Sequence, residues 1–139
     1  MVIAVDFDGT IVEHKYPSIG KLKPFAIETL NDLAADGHKI ILYTSRTGDL
    51  LTEAVEFCRA RGLEFYAVNS NHPEGYLFDS KSDKSGKVIA DVYIDDRNLG
   101  GIPEWGEIYE MISKKSADRH KKKSFWKRLF GRKKHHHHR

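Results

Sequence analysis

The chain has 139 residues, the size of one domain. Its formal charge of +3 is unevenly spread: residues 1–113 hold 11 basic and 19 acidic side chains, whereas residues 114–139 hold 12 basic side chains and one acid, Asp118. The single cysteine, Cys58, excludes an internal disulfide framework and a cysteine-rich metal site, and no apolar run approaches the ~18 residues of a membrane span. The opening MVIAVDFDGT has no basic n-region and reaches acids by residue 6, so it does not read as a secretion signal, and a soluble cytoplasmic protein is expected.

The elements alternate along the chain. Val2 to Val5 is a short apolar run that stops at Asp6, as a buried central strand would. Pro24 suits a first helical turn, after which Ile27, Leu30, Leu33 and Ala34 share one helical face up to a stop at Gly37. Lys39 to Tyr43 reads as a second buried strand. Leu51, Ala54, Val55 and Cys58 mark a second helix closed by Gly62, which makes Cys58 a core thiol rather than a nucleophile. Leu63 to Val68 is a third strand, residues 69–88 a polar loop, and Asp91 to Ile94 a fourth strand. Pro103 opens a last helix with Ile102, Trp105, Ile108, Tyr109 and Ile112 on one side.

Strands alternating with helices imply parallel strands covered by helices, and ligands in such sheets bind beyond the carboxyl ends of the strands. Polar residues stand at those ends: Asp6-Phe7-Asp8-Gly9-Thr10, Thr44-Ser45-Arg46 and Asp95-Asp96-Arg97. Carboxylates gathered at one sheet edge repel one another and coexist best around a cation. Hard oxygens without His or Cys suit Mg²⁺. Gly9 permits a turn after Asp8, and backbone N–H groups around it could face a phosphate. In this arrangement Asp6 attacks phosphorus, Asp8 acts as general acid and then general base, and Thr44 and a lysine hold the non-bridging oxygens.

The order VIAVDFDGT, IILYTSR, a lysine, then VYIDDRN resembles the haloacid dehalogenase superfamily of aspartate-nucleophile phosphatases over residues 1–113. Asp6, Asp8 and Thr10 match its first motif, Thr44 its second, and Asp95 with Asp96 its fourth. For the third, Lys87 is preferred to Lys81 and Lys84, because residues 87–96 look like the K-x-x-A-D-x-Y-I-D-D pattern of small members. The resemblance implies a Rossmannoid three-layer α/β fold with parallel strand order 3-2-1-4 and helices on both faces. It also implies an ion held by Asp6, Asp8 and one or both of Asp95 and Asp96, with Asp8 contributing its backbone carbonyl. The stretch Thr44-Ser45-Arg46 followed by Gly48 resembles the 3′-phosphatase domain of phage polynucleotide kinase, which points to Ser45 and Arg46, with Gly9 and Thr10, as substrate contacts.

Members of the superfamily select substrates through cap insertions. The gaps at 11–23 and 69–86 are too short for a cap domain, so an open site is expected, for a bulky substrate or one enclosed by a second subunit of a homo-oligomer. His14, Lys15 and Tyr16 sit on the first flap; His38, in a turn after Asp36-Gly37, and His72, in the loop, are given no part in the site. A nucleotide, a 3′-phosphorylated nucleic acid and a sugar phosphate all remain open as substrates. In the tail, 114–139, Phe125, Trp126, Leu129 and Phe130 recur at helical spacing among Lys and Arg. Such a segment is a solvated flexible tail, an amphipathic helix on an anionic membrane surface, or a grip on nucleic acid phosphates. The run His135 to His138 is left out of the functional reading. The competing class is a phosphorylatable signalling domain of the receiver kind, or a binding protein localised to membrane or nucleic acid by its tail. A receiver, however, has its acid pair on the first strand, and here the pair comes last.

Overall fold

The computed structural model describes residues 1–73 and 88–137, with side chains as far as residue 131. Met1–Trp105 forms one compact unit and Gly106–Arg139 a second. In chain order the elements are β1 (Val2–Val5), α1 (Ala26–Ala35), β2 (Lys39–Leu42), α2 (Gly48–Ala60), β3 (Ala67–Val68), β4 (Val92–Ile94) and α3 (Trp105–His137).

The four strands form one parallel sheet in the order β3-β2-β1-β4, the expected 3-2-1-4 arrangement of an α/β three-layer fold. Ile3, Ala4, Val5, Ile40, Ile41 and Leu42 are all buried, which is why these strands read as continuous apolar runs. The helical periodicities also appear as faces. α1 buries Ile27, Leu30 and Leu33, and α2 buries Leu51, Ala54, Val55 and Cys58.

Several boundaries differ from the sequence expectation. α1 starts at Ala26, not in the turn containing Pro24, because Phe25 sits in the left-handed region with φ 66° and breaks the helical path. β3 is two residues long rather than running from Leu63. The Leu63 N–H bonds back to the Cys58 carbonyl at 2.9 Å, so Leu63 finishes the turn after α2, and pairing with β2 begins only at Tyr66, whose N–H reaches the Ile40 carbonyl. The last helix begins at Trp105 and continues through residue 113 into the basic segment. The change of charge there does not end the helix, since Lys, Arg and Ala are good helix formers.

The excursion expected at 69–86 falls partly outside the described residues, which resume at Val88. Val88 is buried with Ala4, Ile41 and Ala67. Asn71 fastens the segment that follows: its Oδ1 accepts from the Ile89 N–H at 2.9 Å and its Nδ2 donates to the Ile89 carbonyl at 2.7 Å.

Candidate active site

The parallel register pairs Val5 with Ile94, which sets the residues after β1 beside those after β4. The Asp6 N–H extends that ladder to the Ile94 carbonyl at 3.0 Å. Asp6, Asp95 and Asp96 are thereby gathered at one sheet edge, with one carboxylate oxygen from each within 4.8 Å of the other two. Burial pushes the Asp6 carboxyl up from 3.8 to about 7, with Asp95, Asp96 and Asp8 adding repulsion and the Phe7 N–H opposing it. Three hard, mutually repelling oxygen donors without His or Cys fit a small divalent cation such as Mg²⁺.

The loop after β1 works differently from the phosphate cradle expected around Gly9. The N–H groups of Thr10, Ile11 and Val12 all donate to the Phe7 carbonyl, and the Gly9 N–H donates to the Val12 carbonyl at 2.8 Å. These donors are therefore occupied within the loop. Gly9 has φ 85°, and a Cβ there would overlap Asp96 Oδ2, so glycine is required for the close approach of Asp96. Lys23 Nζ donates to the Gly9 carbonyl at 2.6 Å. Thr10, expected to touch substrate, is fully buried. Its hydroxyl accepts from the Asp96 N–H at 3.1 Å and lies 3.5 Å from Asp96 Oδ1, while its carbonyl accepts from Trp105 Nε1 at 3.1 Å. Thr10 positions Asp96; it does not face the cleft.

Beyond β2, the Thr44 N–H donates to Asn69 Oδ1 at 2.9 Å, and Thr44 Oγ1 accepts from the Arg46 N–H at 3.1 Å. That leaves the hydroxyl proton of Thr44 to be given to a ligand. Arg46 is also corrected as a substrate contact. Its side chain is 0% exposed, and it grips Asp8 with both prongs: Nε to Oδ2 and Nη2 to Oδ1, each 2.8 Å. Nη2 also donates to the Ser18 carbonyl at 3.0 Å and Nη1 to the Leu50 carbonyl at 3.4 Å, and the guanidinium lies 5.2 Å from the ring centroids of both Phe7 and Tyr16. Donating to the Asp8 carboxylate raises the Arg46 pKa further. Arg46 is an internal strut for Asp8, and Asp8 keeps its carboxylate out of the three-acid group.

A cleft of about 650 Å³ opens over these groups, lined by Asp6, Asp8, Thr44, Ser45 and Asp95. His14, Tyr16, Tyr43, Thr47, Asn69 and Arg97 complete its wall. Of the flap residues, His14 and Tyr16 reach it. Asn69, Tyr43 and Lys23 carried no sequence signal, because each lies in a stretch whose composition reads as loop or strand. Arg97 was visible, standing directly after the acid pair. Lys87, with its alternatives Lys81 and Lys84, lies outside the described residues. Cys58 is buried in the core and its thiol is pushed up to about 12 by desolvation, which rules it out as a nucleophile. His38 accepts from the Met1 amino group at 2.9 Å, away from the cleft.

No family model matches the chain, and no curated protein does. Among solved structures, the chain is similar to the conserved protein coded by a locus of Bacteroides thetaiotaomicron. The two are 59% identical with a TM-score of 0.74, over 83% of this chain and 91% of that one.

Proposed function

We propose a function for this chain, which belongs to the same family as that conserved Bacteroides thetaiotaomicron protein, from the chemistry of its own site. It is a Mg²⁺-dependent phosphomonoester hydrolase of the haloacid dehalogenase type, working through a phosphoryl group carried on Asp6. The observation that carries this reading is the meeting of Asp6, Asp95 and Asp96, one carboxylate oxygen from each within 4.8 Å of the others, two of these acids lining a cleft that Asp8 and Thr44 also line. The motif order resembling that superfamily supports it independently.

Asp6, Asp95 and Asp96 would hold a divalent cation, which would supply positive charge for an anionic substrate to approach an anionic nucleophile. The remaining roles belong to the chain. An oxygen of Asp6 forms a bond to phosphorus as the bond to the leaving oxygen breaks. Asp8 gives a proton to that leaving oxygen, then takes one from the water that attacks the phosphoaspartate, so that phosphate and free Asp6 are regenerated. Both its oxygens accept from Arg46 in the structure, so this role requires one prong of that fork to open and Asp8 to take up a proton before the first step. The Thr44 hydroxyl donates to a non-bridging oxygen, its direction fixed by the Arg46 and Asn69 bonds. Lys87 is the proposed second donor, on the strength of the motif alone. Arg97, on the cleft wall, takes the part of substrate cation first expected of Arg46. The open cleft leaves room for a nucleotide, a sugar phosphate or the 3′-phosphorylated end of a nucleic acid.

Hydrolysis of p-nitrophenyl phosphate tests the reading. The wild-type chain is expected to turn over with Mg²⁺ and to stop when the ion is chelated. Asp6→Asn is expected to lose at least about a thousandfold in kcat, since it removes the nucleophile rather than a supporting contact. Equal rates for the two proteins exclude the mechanism.

A further inference from the structure

The part of α3 beyond residue 113 presents large apolar side chains to solvent. Phe125, Trp126, Leu129 and Phe130 are 54%, 50%, 53% and 53% exposed. At 3.6 residues per turn these four positions span an arc of about 140°. Lys127 and Arg128 fall outside the arc, and Lys122 continues it one turn earlier. Between residues 114 and 131 the helix carries eight basic side chains against one acid, Asp118. None of these residues takes part in the cleft chemistry.

We propose that this segment is a docking helix for an anionic lipid surface, lying in the plane of the interface with the Phe125–Phe130 patch among the acyl chains and the flanking Lys and Arg on the headgroups. Charge complementarity selects this occupant. A second copy of the helix would bring eight like charges against eight, which opposes association. No described helix is long and apolar enough to cross a membrane, so the contact is peripheral. Nucleic acid is disfavoured by the rings themselves. Trp126 is already stacked on Phe130, with centroids 5.0 Å apart and planes 12° from parallel, which takes one face of each ring and leaves no gap between them for an unpaired base. Leu129, beside them, offers nothing to a base or a phosphate. Lysine stems at the edge of the patch can lie along the apolar boundary with their ammonium groups raised to the headgroups.

Co-sedimentation of the full chain with vesicles tests the proposal. Vesicles of phosphatidylcholine with about 30% phosphatidylserine should bind at least about tenfold more tightly than phosphatidylcholine alone, and binding should weaken as salt is added. Trp126 emission should shift to the blue on binding, whereas Trp105, whose N–H is bonded inside the other unit, should not respond. Leu129→Ser with Phe130→Ser should lose at least about tenfold in binding to the anionic vesicles without lowering the melting temperature. Equal binding by that double variant, no preference for anionic lipid, or tighter binding to a single-stranded oligonucleotide than to the vesicles would each overturn it.

Discussion

Arg46 shows how a residue can have a clear sequence context and a different physical task. The sequence places it just past a strand end, where substrate contacts belong; the fold turns it inward, to Asp8, 38 positions away. Burying a forked cation against a carboxylate is worthwhile only when both groups are satisfied, and both are. Arg46→Met would leave Asp8 beside an apolar stem and is expected to lower stability by roughly 3–5 kcal/mol, with Arg46→Lys losing less because it keeps the charge but not the fork. Urea unfolding measures this. A variant with unchanged stability and only a raised KM would restore the substrate-contact role. Asp6 makes a second prediction. Its folded pKa of about 7 stands above the unfolded 3.8, so its contribution to stability is lost as pH rises between them and the loss is complete above about 7. A cation bound by the ionised group reverses that loss. Mg²⁺ should therefore raise the melting temperature more at pH 8 than at pH 5, and an equal rise at both would contradict the assignment of Asp6 as a ligand.

At the scale of elements, the strands and the acids at their ends were legible, because a fully buried parallel strand writes itself as an apolar run and its end as the first charge. Register then follows from the topology, and register alone is enough to bring position 6 beside position 95. The loops were less legible. Nothing local to Gly9 says that its N–H turns inward to Val12 or that Asp96 packs on its α-carbon. The shortness of β3 was hidden for a similar reason: Leu63 is apolar and buried whether it pairs in the sheet or closes the turn after α2. Gly9→Ala tests the loop directly. The added methyl must displace Asp96, so Mg²⁺-dependent turnover should fall by at least about tenfold, as expected when the donors around an ion are moved. Full turnover in that variant would mean that Asp96 is dispensable.

On the scale of the whole molecule, the sequence divides by charge at residue 113, whereas the structure divides at Trp105 and continues its last helix across the charge boundary. Composition reports which surface a segment prefers; it does not report where hydrogen bonding along a helix stops. The acidic unit carries the cleft and the basic helix carries the apolar patch, so the two can be tested separately by substitution in the intact chain. Mixing the chain with p-nitrophenyl phosphate and Mg²⁺, quenching in acid and mapping peptide masses should reveal an added phosphoryl group, about 80 Da, on the peptide containing Asp6, and none in Asp6→Asn. Sustained turnover in which that peptide never gains the mass would contradict it.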